Sequence, residues 1–403
     1  MSKVAHTPQL RFPEFSGDWE EKKLSDISDV RDGTHESPKY VLDGFPLITS
    51  KNLLSNGSID FENINLVSEE DYTNINKRSK VDINDILFGM IGTIGNPVIV
   101  KETGFAIKNV ALIKQQKELL NKFMIFYLSG NSIAKQFYIE NTGGTQKFLA
   151  LGVIRSLKIK FPPDTEQQKI AAFLTAVDNK IEQLSKKQEL LKEYKKGLMQ
   201  QIFSQATRFK ADDGCDFPDW EEKKLGDLIA EISDGGTPPT SNKGNFGGGI
   251  NWVVIDDIRD EIRITKETLT ETGLSNSSSK LWKPETIILS TGATIGRVGI
   301  AKIYTTTKQG VCGIVVNQFT SNLFLKYWFI FNINLLKRFS QGSSIKEVRP
   351  PTLIKFDIST PSLPEQTKIA NFLSSIDSKI EQVGKQLDES KQFKKALLQQ
   401  MFV

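Results

Sequence analysis

Two stretches of the chain place apolar residues at alternating steps of four and three, and no other part of the sequence sustains a pattern for so long. Within residues 165–203 the apolar positions are Ile170, Leu174, Val177, Ile181, Leu184, Leu191, Leu198 and Ile202, interrupted at Gln188 and Lys195. The same register returns as Ile369, Leu373, Ile376, Ile380, Val383, Leu387, Leu397 and Met401, interrupted at Ser390 and Lys394. Such spacing predicts a coiled-coil seam. Each predicted helix is about 58 Å long at 1.5 Å per residue, too long to rest on one domain, and the other helix is the partner at hand. Pro162, Pro163 and Pro364 stand just before the predicted starts, with Asp164 or Thr165 available as N-cap for the first. Gln188 and Lys195 either fix the register of the seam or mark where two helices diverge.

Outside these helices the apolar runs are short and bounded by turn residues. FPLITS, VDINDILFGMIG and NPVIV in the first half, with NWVVID, ETIILSTGA and RVGIA in the second, read as strands of a mixed sheet. NKFMIFYLSGNSIAKQF and NLFLKYWFIFNINLLKRF read as helices. At helical spacing the aromatic run Phe324, Tyr327, Trp328, Phe329 and Phe331 favours a core role over a base-stacking platform.

These elements occur twice. Trp19 in DWEEKKL matches Trp220 at an offset of 201, and ILFGMIGTIG returns as IILSTGATIG at the same offset. EQQKIAAFLTAVDNKIEQL returns as EQTKIANFLSSIDSKIEQV at an offset of 199. A period near 200 residues marks a duplicated head-plus-helix unit, not a solenoid. The expected organisation is a first head over 1–163, a first long helix over 164–205, a linker over 206–216, a second head over 217–363 and a second long helix over 364–403. The fold class is α+β: two mixed α/β heads, each followed by a long helix, the helices forming an antiparallel coiled coil. Antiparallel pairing is favoured because a head lies between the helices in the chain. Two similar heads joined in this way suit a DNA target with two different half-sites at a fixed gap.

Composition narrows the function classes. The 403 residues are 38% hydrophobic and include 25 Phe, which excludes disorder as the main state. No apolar run approaches a membrane span and the start lacks a signal-peptide core, so a soluble, cytoplasmic protein without membrane contact is expected. Two cysteines and two histidines are too few for a Cys/His zinc site. The net charge of +4 is small and spread evenly along the chain, so DNA binding by this chain alone is expected to be modest and salt-sensitive.

Catalytic motifs are missing. Asn96-Pro97-Val98 lacks the second proline and the aromatic residue of an adenine methyltransferase element, and no phosphate-binding G-x-x-x-x-G-K-[ST] is present. Asp219 with Glu222, Lys223 and Lys224 mimics a metal-dependent nuclease, but the residues are nearly contiguous and return as Asp18–Lys23, which suits an exposed first helical turn. No catalytic or metal-binding residue is therefore assigned. DNA contacts are sought in loops placed alike in both heads. The first group is Gly33, Thr34, His35 and Lys39, matched by Gly236, Thr237, Thr240, Asn242 and Lys243. The second is Ser50, Lys51 and Asn52, matched by Asp256, Asp257 and Arg259, where Asp accepts from cytosine and Arg pairs with guanine. The third is Thr145, Gln146 and Lys147, matched by Ser343, Ser344 and Lys346 beside glycines that let a backbone approach phosphate. For each residue taken singly, His35 included, a solvated turn is the competing reading.

The W-x-x-x-x-L-x-D opening, Gly33-Thr34 and Gly236-Thr237, the IGTIG and GATIG turns, and the E-Q-x-K-I-A-x-F-L helix start resemble the specificity subunits of type I restriction-modification enzymes. The resemblance covers nearly the whole chain, twice over. It implies two target recognition domains reading a bipartite, asymmetric duplex, with the coiled coil setting the spacer. It further implies two methyltransferase subunits and restriction/translocase subunits as partners. S-adenosylmethionine, ATP and magnesium belong to those partners, with no cofactor in this chain. A non-catalytic two-headed adaptor for proteins is the alternative. Two departures accompany the resemblance: Pro364-Glu365 replaces Thr165-Glu166, and the KGNFGGG loop has no counterpart in the first copy.

Overall fold

The computed structural model of the chain describes residues 7–116, 118–140, 148–340 and 347–402. Its contacts group into two units: one up to Lys186 together with Gly384 onward, the other Lys187–Val383. Each unit therefore takes one head and a part of both long helices.

In the first unit a four-stranded antiparallel sheet has the order Val30–Asp32, Val110–Ile113, Ile86–Gly89, Gly95–Ile99. A second sheet orders Tyr40–Val41, Asn65–Val67, Phe45–Thr49 and Ala106–Lys108, the last pair parallel. Strand Ile86–Gly89 is buried on both faces: Ile86 and Phe88 join the core formed with helix Asn121–Leu128 and the long helices, while Leu87 joins a separate core with Ile48 and Ile107. Burial on both faces explains why the run ILFGMIG reads as continuously apolar. The second unit repeats the plan. A five-stranded sheet orders Ile229–Asp234, Val311–Val316, Ile287–Ser290, Val298–Ala301 and Glu261–Ile262. A three-stranded sheet orders Glu267–Leu269, Phe246–Val253 and Thr306–Thr307. Phe324, Tyr327, Trp328 and Phe329 are buried in helix Asn322–Phe331, as core.

The long helices run Asp164–Phe203 and Leu363–Gln400. All seam positions are buried or half-buried, Gln188, Lys195, Ser390 and Lys394 included. In the first unit Leu397 and Met401 share a core with Ile170 and Leu174, and Lys394 pairs with Asp178 at 2.6 Å. In the second, Met199 and Ile202 share a core with Ile369 and Leu373, and Lys195 pairs with Asp377 at 2.6 Å. Rising numbers on one helix meet falling numbers on the other, so the pair is antiparallel. Each seam lysine also lies over an aromatic ring of its head: Lys394 is 5.6 Å from the centroid of Phe126 and Lys195 is 4.9 Å from that of Tyr327. The two seam lysines thus bind helix to helix and helix to head, which decides for register over divergence at Lys195.

The repeated helix start has a structural reason at each position. Glu166 is fully buried and takes a two-pronged bond from Arg11, both contacts at 2.7 Å; Glu365 is held in the same way by Arg208 at 3.3 and 2.9 Å. The neighbouring glutamines bind the head. Gln167 Oε1 accepts from Leu120 N–H at 2.9 Å while its Nε2 donates to the carbonyls of Glu118 and Pro162. Gln366 does the same with Ser321 N–H and the carbonyls of Phe319 and Pro361. Lys169 pairs with Glu14 and Lys368 with Asp212, and Phe173 packs edge-on to Phe12 as Phe372 does to Phe209.

Three expectations are corrected. DWEEKK is not a helical turn: Glu20–Lys23 and Glu221–Lys224 are strands paired antiparallel with Lys158–Phe161 and Asp357–Thr360. Neither Asp164 nor Thr165 caps the first long helix, because the Pro163 carbonyl already accepts from Glu166 and Gln167 N–H, placing Asp164 inside the first turn. Likewise Pro364 lies within its helix, in the first turn, where the missing N–H costs nothing. The stretch between the copies is tied to the second helix by Arg208, which pairs with Glu365, and by Lys368, which donates to the Lys210 carbonyl.

Asp377, 21% exposed, also accepts from the Tyr327 hydroxyl at 2.7 Å, whereas Asp178 is 38% exposed with the single lysine. Asp377→Ala is expected to destabilise the chain by about 2 kcal/mol, since it leaves a half-buried lysine and a buried hydroxyl without their acceptor. Asp178→Ala should cost less than about 1 kcal/mol. Urea unfolding of the full chain checks the order; equal losses would contradict it.

Candidate nucleic-acid interface

In the first head the loop after strand Val30–Asp32 docks on segment 107–110. A Cβ on Gly33 would lie 2.2 Å from the Ile107 carbonyl oxygen, so only glycine fits there. Gly33 N–H donates to Val110 and Thr34 N–H to Ile107, both at 3.0 Å. Asn109, with φ 53°, sits where the loops meet. Its N–H donates to the Thr34 carbonyl at 3.1 Å, its carbonyl accepts from Ser50 Oγ at 2.9 Å, and its Oδ1 is 2.8 Å from His35 Nδ1. Ser50 Oγ accepts in turn from the N–H groups of Met90 and Ile91. Ile91 pairs with Phe148, which follows the third predicted cluster in the chain. His35 Nε2 lies 2.8 Å from Asp32, whose buried carboxylate also pairs with Arg78.

The second head keeps the backbone plan and changes the side chains. Gly310, at the position of Asn109, has φ 80°, and its carbonyl accepts directly from Thr291 and Gly292 N–H at 2.9 and 3.1 Å. No hydroxyl intervenes as Ser50 does in the first head. Gly292 pairs with Glu347, again next to the third cluster. Asp234 is the counterpart of Asp32, but burial, with the Glu347 carboxylate nearby, holds its carboxyl above the usual range. Arg297 reaches the 255–257 turn, donating to the Ile255 carbonyl at 3.1 Å and pairing with Asp256 at 3.0 Å.

Several predicted residues are thereby occupied by the fold. Ser50 is buried as a bridge between turns, and Asn52 is buried with its side chain accepting from Thr49 N–H and donating to the carbonyls of Asp60 and Asn63. Asp257 is buried and accepts from Val254 and Lys266 N–H. Because their polar atoms hold backbone groups, Ser50, Asn52 and Asp257 are withdrawn as DNA contacts. Gly33 and Gly236 shape the loops from within; the Gly236 carbonyl takes the Trp252 indole N–H at 3.1 Å. Thr34 and Thr237 are half-buried. Lys39, Lys51, Thr240, Lys243 and Arg259 are exposed, with no side-chain partner among the described residues, and Asn242 caps a short turn by accepting from Gly244 N–H. Thr145, Gln146, Lys147, Ser343, Ser344 and Lys346 lie outside the described residues. The sequence reading missed Asn109, Asp32, Arg78, Asp234 and Arg297. One signal was available for Asn109: it aligns with a glycine in the copy, and Asn and Gly are the residues that accept positive φ.

The profile of the type I restriction modification DNA specificity domain matches the sequence twice, over residues 16–193 and 218–389. The chain belongs to that family. A Methanocaldococcus jannaschii chain assigned as the MjaX type I restriction enzyme specificity subunit is 27% identical over 401 residues, covering 96% of this chain and 93% of that one. The MjaIX specificity subunit of the same organism is 36% identical over 191 residues, 46% of this chain and 44% of its own. The crystal structure of a type I restriction-modification S subunit from M. genitalium shares the fold, with a TM-score of 0.63 at 16% identity over 98% of this chain and 99% of that one.

Both matches to the specificity family span a head and most of the helix that follows it, so the family unit is the repeat itself. Among the described residues no helix is long and apolar enough to cross a membrane, and no group of three or more His, Cys, Asp or Glu is placed to hold a metal ion.

In this specificity-family chain His35 has oxygen acceptors at both ring nitrogens, so the imidazolium satisfies both. The Asn109 and Asp32 bonds raise its pKa, against desolvation and the nearby Arg78. A raised folded-state pKa stabilises the fold fully below the unfolded value of about 6.5, and that contribution is lost as pH rises through the folded pKa. NMR titration should give His35 a midpoint above 6.5, falling toward the free value in Asp32→Asn; a wild-type midpoint at or below 6.5 would contradict the geometry.

Proposed function

We propose that the chain is the DNA sequence-recognition subunit of a type I restriction-modification complex and that each head reads one half of a bipartite, asymmetric target. One observation carries this reading. The two heads share a backbone framework down to the left-handed positions 109 and 310, while the side chains around those positions differ in kind. A shared frame with divergent polar tips suits two different half-sites, and the coiled coil then sets the gap between them. Adenine methylation and cleavage belong to partner subunits, which supply the S-adenosylmethionine, ATP and magnesium chemistry. Mapping methylated adenines in a host genome with and without this gene tests the reading: an asymmetric two-part motif with a fixed spacer should vanish with the gene. Equal binding of the assembled complex to every duplex would overturn it.

Two methyltransferase subunits are proposed to dock on the long helices, one per unit. Support comes from an apolar groove in the first unit and from an exposed aromatic residue at the same position of both long helices. In the first unit Phe173, Ala176, Val177, Lys180, Ser390 and Phe393 line an open groove of about 250 Å³. Phe393 is 53% exposed, and its counterpart Tyr194 in the second unit is 55% exposed beside no core cluster. Exposed aromatic residues at the same place in two units fit two copies of one partner. The double variant Tyr194→Ser, Phe393→Ser should fold normally yet retain at least about tenfold less methyltransferase in co-purification; undiminished retention would move the docking site elsewhere.

A further inference from the structure

We infer that Asn109 is a base-reading residue of the first head, its Nδ2 donating to an acceptor on a base edge, and that His35 is the residue that positions it. The inference rests on the reading of the heads as DNA-recognition domains. Asn109 is where the first two loop groups of the first head meet: Thr34 and Ser50 fix its backbone, His35 contacts its side chain, and Ser50 also binds the turn in which Ile91 pairs with Phe148. Its left-handed backbone points to Asn or Gly, and the second head uses glycine at the same position. Conformation alone would therefore be met by glycine, and it does not account for the amide.

Holding His35 does not account for it either. An aspartate at 109 would accept from the imidazolium with a full charge and bind it more strongly. What the amide adds is a donor. With Oδ1 committed to His35 at 2.8 Å, Nδ2 is left on a half-exposed side chain, without a partner among the described residues. His35 is itself held at Nε2 by Asp32, which Arg78 secures from the other side. The amide is thus oriented by a chain of contacts ending in a buried carboxylate, and its free donor suits the acceptors of a major-groove edge: purine N7, guanine O6 or thymine O4. Because Gly310 offers no side chain, the second head lacks this contact, which makes the position one where the half-sites are told apart.

The test uses the chain assembled with its methyltransferase subunits and the target found by methylome mapping. Wild-type complex is titrated against duplexes in which single base acceptors of the first half-site are deleted one at a time, by 7-deazapurines and by pyrimidine analogues lacking O4. One deletion should weaken binding about tenfold, and Asn109→Gly, which adopts the residue of the second head, should be indifferent to that same deletion. His35→Ala should blunt the same discrimination non-additively with Asn109→Gly, an effect that a merely structural histidine would not produce. Asn109→Asp should shift the preferred base toward one presenting an amino group. If no single acceptor deletion weakens the wild-type complex, or if Asn109→Gly keeps the wild-type sensitivity, the inference falls. In either case a bipartite target would still stand, whereas absence of any sequence preference in the wild type would overturn the functional reading itself.

Discussion

The structure depends on two carboxylates that have no access to water. A buried ionised Glu is tolerated only when a cation and further hydrogen bonds replace its hydration, and Glu166 and Glu365 obtain this from Arg11 and Arg208. Each arginine also donates to carbonyls of its own strap, at Ser16 and Gly17 in the first unit and at Phe217 and Pro218 in the second, where Arg208 Nη1 pairs with the Asp219 carboxylate as well. The strap is thereby folded against the helix start. The adjacent glutamine binds the segment entering the aromatic-rich helix of the head. Two neighbouring residues thus tie strap, helix and head together, and the pair Glu-Gln stands unchanged in both copies for that reason.

The seam lysines extend the same logic along the helices. A lysine at a core position of a coiled coil weakens it unless its charge is answered. Asp178 and Asp377 answer it from the facing helix, and the rings of Phe126 and Tyr327 answer it from the head. One substitution distinguishes the copies: a hydroxyl on the second ring reaches the aspartate as well. Burial and that carboxylate push the Tyr327 phenol far up, so it acts as a donor at any ordinary pH.

What was legible in the sequence was what depends on local period. The seam is read from one helix at a time, and the strands ILFG and IILS from their flanking turns. DWEEKK was misread because its strand character comes from partners far along the chain, at Lys158–Phe161 and Asp357–Thr360, and nothing local distinguishes it from a polar helical turn. The arginine clamp escaped for a related reason. Trp19 and Trp220 are 201 residues apart, but Arg11 and Arg208 are 197 apart, because the second strap carries extra residues between clamp and tryptophan. An alignment anchored on the tryptophans therefore sets the arginines out of phase. Ser50, Asn52 and Asp257 illustrate the opposite error, since polar residues in loops are as often used to hold backbone groups as to meet a ligand.

Asn109 was hidden by its setting in the apolar run FAIKNVALI, where the neighbours are core and the residue looks like an interruption of a strand. Its meaning is tertiary. The comparison of the heads shows how a duplicated frame diverges without being rebuilt. At 109 and 310 the backbone must be left-handed, and both residues satisfy it; at 32 and 234 an aspartate ends the strand in both heads. In the first head that aspartate is answered by cations and supports an imidazolium and an amide. In the second it is left beside another carboxylate, that of Glu347, and Arg297 of that head pairs with Asp256. Such a change alters hydrogen-bonding polarity at the tip while the sheet beneath keeps its register. Exposed cations without a side-chain partner among the described residues stand in the loops of both heads, Lys39 and Lys51 in the first and Lys243 and Arg259 in the second, so the two heads differ in which hydrogen-bonding groups they present while both offer positive charge to a polyanion.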